Sequence, residues 1–202
     1  FSTQVLTAFD SGLIFQASSL LIVSLGLNLI YGFNGQFSLG QWGFYGIGAY
    51  ASADITYRWV NGDSSGLIVV LIGSLLTGAV IFGVGRFLKK VRDVPVLSAF
   101  TLYLLGTGLA WGVAILFARL VGPAMAPLLG NPGAPGVLAS GAFMQVLFVL
   151  AILLGGVLAA EISFFFGLPV LTLGSDYFGI ATLGFTIVVN TLMINSDTIL
   201  PF

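Results

Sequence analysis

From Gly12 to Ala53 no residue carries a charge, and that long apolar stretch is interrupted in its middle. It opens as an apolar helix, breaks at Gly32-Phe33-Asn34-Gly35-Gln36, and resumes as a helix bearing Gly40, Gly43, Gly46 and Gly48. Asn34, Gln36, Ser38 and Gln41 therefore fall where an unpaired amide costs several kcal/mol. Lipid tolerates such a break only if protein or a watery cavity satisfies the freed backbone. The feature points to a substrate pathway.

The surroundings agree with a bilayer setting. Of 202 residues 58% are hydrophobic and 6% charged, and the mean hydropathy is +1.12; a soluble domain carries about a quarter charged residues. With no cysteine the chain has no disulfide framework, iron–sulfur ligation or thiol nucleophile. With no histidine it lacks the commonest general base and metal ligand. A net charge of −1 leaves no basic footprint for nucleic acid. The start at Phe1, without a basic n-region, and the end at Leu200-Pro201-Phe202 are read as a fragment of a longer polytopic protein, incomplete at its C-terminus and without a signal peptide.

A crossing helix needs roughly 20 mostly apolar residues. Spans are expected at Gly12–Tyr31, Phe37–Tyr57, Leu67–Gly85, Val94–Phe117, Gly141–Ala160 and Tyr177–Ile194. Ile162–Leu173 is too short to cross and reads as a half-helix broken at Gly167-Leu168-Pro169. Arg86, Lys89, Lys90 and Arg92 are four of the six bases, and the positive-inside rule places their loop in the cytoplasm. Arg58–Ser65 and the proline-rich Gly122–Gly136 then fall outside, and Glu161–Asp176 inside. The N-terminus is outside if the first two spans both cross, and inside if the Asn34 break lies mid-membrane. The fold class is all-α, a polytopic transmembrane bundle with discontinuous helices, arranged as one permease domain over residues 1–202.

Two constellations carry the functional reading. In the first, Asn34, Gln36, Ser38, Gly40 and Gln41 line a path, with Ser38 and Gln41 on one helical face; equally open is that these groups cap two helices at a short turn. In the second, Leu173-Gly-Ser-Asp176-Tyr177 opens the last span, where Thr182 and Gly184 follow. Asp176 as an N-cap at the membrane surface is the plainer account, and Thr182 and Gly184 have an ordinary account as a kink or packing contact. Asn28 is expected to make an interhelical hydrogen bond. Gly43, Gly46 and Gly48, and Gly108 with Gly112, are packing motifs. The basic cluster is a topology determinant and headgroup anchor, with contact to a cytoplasmic partner as the alternative. Glu161 and Asp54 stand at span ends, and neither is assigned to proton transfer. No metal site, carboxylate pair, nucleophile–base couple or phosphate loop is present in the sequence, so bond-making chemistry in this chain is not expected.

Residues 26–50, GLNLIYGFNGQFSLGQWGFYGIGAY, and Leu171–Phe185, LTLGSDYFGIATLGF, resemble two segments of the high-affinity branched-chain amino acid permeases, in the same order. In that family the patterns run GLNL…SLG…FxGIGAY and LRGDYFAIVTLGF. This chain lacks the arginine and has Ser175 in place of glycine. The resemblance implies an ABC importer permease in a prokaryotic inner membrane. It implies a second permease subunit, identical or different, two cytoplasmic ATPases and an extracytoplasmic solute-binding protein. ATP and Mg would be bound by the ATPase partner, with no cofactor in this chain. Branched-chain amino acids are the first solute, with urea or short amides, nucleosides and sugars as alternatives. Rivals of other classes are a channel-like or proton-conducting subunit, which would need charges within the spans, and a structural membrane anchor.

Overall fold

The computed structural model describes residues 7–61, 63–91, 95–131, 134–135, 142–171 and 175–196. They form six helices: α1 (Ala8–Asn34), α2 (Gln41–Val60), α3 (Ser65–Lys90), α4 (Val96–Leu129), α5 (Ala142–Val170) and α6 (Ser175–Ile194). A two-residue antiparallel ladder, β1 (Gly130–Asn131) with β2 (Ala134–Pro135), follows α4. The chain is thus all-α in architecture, and five helices are long and apolar enough to cross a membrane: Phe9–Phe33, Ser65–Lys90, Leu97–Met125, Phe143–Val170 and Tyr177–Ile194. α2, with its glycines, Asp54 and Arg58, does not reach that apolarity over its 20 residues.

Several boundaries differ from the sequence expectation. α4 does not stop at Phe117 but runs to Leu129 through Pro123 and Pro127, so the expected external loop is helical over its first half. A proline in a helix is tolerated at membrane depth when neighbouring groups take up the freed carbonyl. α5 does not end at Ala160, and no separate half-helix follows. It continues through Gly167-Leu168 to Val170, and Pro169, one residue from the end, removes the bond to the Phe165 carbonyl and crowds it only in the last turn. Glu161 therefore lies inside α5, nine residues before its end, and is buried. Arg86, Lys89 and Lys90 belong to the last turns of α3 rather than to a loop, where cations suit the carbonyl end of the helix; Arg86 lies over the Phe82 ring. Arg92 and Gly174 lie outside the described residues.

The chain divides into two compact units, Phe1–Gly46 with Val170–Phe202, and Ile47–Pro169. In the second unit α3 and α4 pack antiparallel: Gly73 lies against Trp111, Val80 against Gly106, and Gly85 against the Tyr103 hydroxyl. The small residues that allow this are Gly106, Ala110, Ala114 and Ala118, one per helical turn on the buried face of α4. Gly108 and Gly112, expected to pack, are two residues out of that register and have no group within 4 Å. Gly48 of α2 meets the Gly155 backbone of α5. Farther along the same pair, Ile55 and Trp59 close a core with Leu67, Leu147 and Ala151. Arg58 bonds Asp54 at 2.9 Å and reaches Asp63 at 3.5 Å.

Candidate functional site

The first unit contains the helix break. Thr7 and Asp10 form a capping box that starts α1. The helix ends at Asn34 because Gly35 adopts a left-handed conformation (φ 66°) and donates its N–H to the Tyr31 carbonyl. Residues 35–40 then run without helical structure until α2 begins at Gln41. This strap turns back along α1: the Phe37 ring meets Tyr31 edge-on at 6.4 Å, and the Gln41 amide oxygen lies 3.3 Å from where a Gly26 methyl would stand.

On its other side the strap lies along α6 and runs in the same direction. The Phe37 carbonyl sits at Gly179, Gly40 at Thr182, Gly43 at Phe185 and Thr186, and Gly46 at Met193. The Leu39 N–H donates to Thr182 Oγ1 at 3.0 Å, and the Leu39 carbonyl accepts from Thr186 Oγ1 at 2.8 Å. Thr182 Oγ1 in turn donates to the Gly179 carbonyl at 3.0 Å. The Gly40 N–H donates to Ser38 Oγ at 3.3 Å. At 1.5 Å per residue, Thr182 and Thr186 lie about 10 Å and 16 Å from the start of α6, so the non-helical backbone is held beside the middle of a crossing helix. The hydroxyls of α6 supply what lipid cannot.

The two sequence constellations are therefore one site, although not every expected residue enters it. Ser38 is buried and supports the backbone; it precedes α2 and so does not share a helical face with Gln41. Thr182 is buried and central. Gly43 and Gly46 do pack, closely enough that a Gly43 methyl would come within 2.9 Å of the Phe185 ring. Gly184 faces open space, and Tyr177 is exposed. Gln36 is half-buried. The side chains of Asn34, Ser175 and Asp176 lie outside the described residues. Thr186 was missed by the sequence reading, although its i, i+4 spacing from Thr182 puts both hydroxyls on one face.

Between α1 and the strap is a pocket of about 340 Å³ lined by Ser24, Leu27, Asn28, Tyr31 and Phe37. That is at the small end of the ~300–1,000 Å³ typical of ligand sites. Its walls are mostly apolar, with Asn28 and Ser24 as the polar groups. Asn28 is exposed and lines this pocket rather than bridging to a second helix among the described residues. The Ser24 hydroxyl donates to the Leu20 carbonyl at 2.8 Å, so its oxygen keeps acceptor capacity.

A family model described as branched-chain amino acid transport system / permease component matches residues 11–126. The match runs from the first turns of α1 through most of α4, more than half of the chain. It takes in the strap, while the α6 segment lies beyond it. No curated protein and no solved structure matches the chain. An uncharged break hung from a crossing helix, in a chain of several membrane-capable helices, agrees with that match. This multi-pass membrane protein belongs to the family of branched-chain amino acid transport system permease components.

Proposed function

We propose that the chain is the membrane-spanning permease subunit of an ATP-driven importer in a prokaryotic inner membrane, moving a small polar solute, with branched-chain amino acids first. It would work with a second permease subunit, two cytoplasmic ATPases that bind ATP and Mg, and an extracytoplasmic binding protein. The chain itself would make and break no covalent bonds. The observation that carries this reading is the strap from Gly35 to Gly40 beside the middle of α6, with its Leu39 peptide groups bonded to Thr182 and Thr186. A helix interrupted at membrane depth places backbone dipoles and amides where a zwitterion could be passed, as discontinuous helices do in other transporters. The neighbouring pocket, with Asn28 and Ser24 among apolar walls, suits a solute with a polar head and an aliphatic side chain.

The test is uptake of radiolabelled leucine, isoleucine and valine by cells expressing the full-length protein with its partners. Asn34→Leu and Gln41→Leu should abolish uptake while membrane insertion stays normal. Wild-type uptake in both variants would remove the strap from the pathway. Urea, short amides, nucleosides and sugars as competitors define the solute class. A stable purified complex without an ATPase would favour a channel-like subunit instead. One observation leans that way, since Glu161 lies within a span. A proton wire needs a succession of titratable groups, however, and Glu161 is the only one in α5.

A further inference from the structure

Glu161, Ser74 and Thr77 are buried polar residues of the second unit. Their relative exposures are 8%, 7% and 1%. The Glu161 carboxyl lies beside the Ser74 hydroxyl across the α3–α5 contact. Thr77 follows Ser74 by three residues on the same buried face of α3. Glu161 Oε2, Ser74 Oγ and Thr77 Oγ1 are buried and make no hydrogen bond of full geometry among the described residues.

The two hydroxyls are unusual for this chain. Other helical hydroxyls, such as those of Ser18, Ser24, Thr107 and Thr191, donate back to a carbonyl in the preceding turn. Ser74 and Thr77 do not, and of the two it is Ser74 that lies beside the carboxyl. Glu161 lies about 7 Å along the axis from the midpoint of the Phe143–Val170 span, inside a hydrocarbon core about 30 Å thick. A lone carboxylate there would need a cation.

The titratable groups of the packed elements do not supply one. On α3 the nearest base is Arg86, nine residues beyond Thr77 and exposed. From α4, Tyr103 stacks on Phe164 at 5.6 Å and is a phenol, not a base. Arg119 is exposed and, given the antiparallel pairing, lies toward the Ser65 end of α3. From α2, Arg58 is engaged by Asp54 and Asp63, and Tyr50 and Tyr57 are exposed.

We propose that Glu161 and Ser74 form an intramembrane proton-binding site, in which Glu161 is a neutral carboxylic acid at neutral pH and donates its proton to Ser74 Oγ, with Thr77 completing the polar lining. The bound proton latches α5 to α3, and removing it leaves a bare carboxylate between two packed helices. The proton site does not depend on the nature of the solute.

Glu161 is the only glutamate among the 202 residues, so glutamate carrying ¹³C at the side-chain carboxyl reports on it directly. The full chain in lipid nanodiscs should give, at neutral pH, the resonance position of a protonated acid, assigned by its loss in Glu161→Gln. Ser74→Ala should shift that resonance without abolishing it. In infrared difference spectra of wild type against Glu161→Gln, a protonated-carboxyl C=O band should be lost. A resonance at the carboxylate position in folded wild type at neutral pH overturns the proposal, because a cation would then hold the site. So does an unmoved resonance in Ser74→Ala. The labelled wild type decides the question even if Glu161→Gln does not fold, and uptake assays test the transport reading separately.

Discussion

Replacing Thr182 and Thr186 by valine removes two hydroxyls at nearly constant shape and leaves the Leu39 peptide groups unmatched at membrane depth. Thr182→Val strands the Leu39 N–H, whose bond to Oγ1 is 3.0 Å; an orphaned buried donor costs about 1–3 kcal/mol. Thr186→Val removes the 2.8 Å donor to the Leu39 carbonyl, although that hydroxyl also reaches the Thr182 carbonyl at 3.2 Å. Its loss should lie nearer the ~0.6–1.7 kcal/mol measured for side-chain hydrogen bonds between membrane helices. Both variants act on one residue, so the double variant should fall short of the sum. Thermal unfolding in nanodiscs, followed by tryptophan fluorescence, reads the loss. Thr191→Val is the control: its hydroxyl only donates to the Ile187 carbonyl one turn back, on an exposed face, and its effect should stay within ~0.5 kcal/mol. Thr182→Ser, which keeps the hydroxyl, should recover most of the stability. A double variant as stable as Thr191→Val would refute the argument, because other partners would then satisfy the Leu39 peptide groups.

Two further expectations concern packing and pH. Gly43→Ala puts a methyl 2.9 Å from the Phe185 ring and 3.3 Å from Thr186 Cα, so about 1–3 kcal/mol of overpacking should appear as a lower melting temperature. Gly108→Ala and Gly112→Ala meet nothing in this chain and should gain up to about 1 kcal/mol each from helix propensity; equal losses at all three glycines would contradict the packing described. Burial alone would push the Asp63 carboxyl up, but the hydrogen bonds from Ser65 and the Arg58 guanidinium outweigh it and hold it below its ordinary value. A lowered folded-state value stabilises the fold above the unfolded value, and that contribution is lost as pH falls through the folded one. Acidification should therefore loosen the start of α3, seen as faster amide hydrogen exchange at Leu67 and Ile68. The acid dependence should vanish in Asp63→Asn, and its survival there would assign it to another group.

The long apolar helices were legible because length and composition alone decide a crossing. α1 and α3 extend a few residues beyond the spans read from sequence at both ends, and α6 only two residues at its start. The break after Asn34 was legible for the same reason, since Gly35 and an uncharged amide run cannot continue a lipid-facing helix. What sequence could not show is who satisfies it. Leu39 and Thr182 are 143 residues apart, and no periodicity links them. α5 misled because Glu161 and Pro169 look like stops; the Glu161 carboxyl is in fact buried beside α3, and the proline falls where the helix ends anyway. On α4 two small-residue registers were available, and only contact with α3 selects Gly106 and its alanines over Gly108 and Gly112.

The separation of Leu39 from its two threonines also sets an order of assembly. At roughly 5–20 residues per second, a ribosome needs about 7–30 seconds to synthesise the intervening chain. Throughout that interval the strap exists without the hydroxyls that match its Leu39 peptide groups, so it cannot settle into lipid by itself. The strap must be held, by the insertion machinery or by water at the break, until the last helix arrives to seat it.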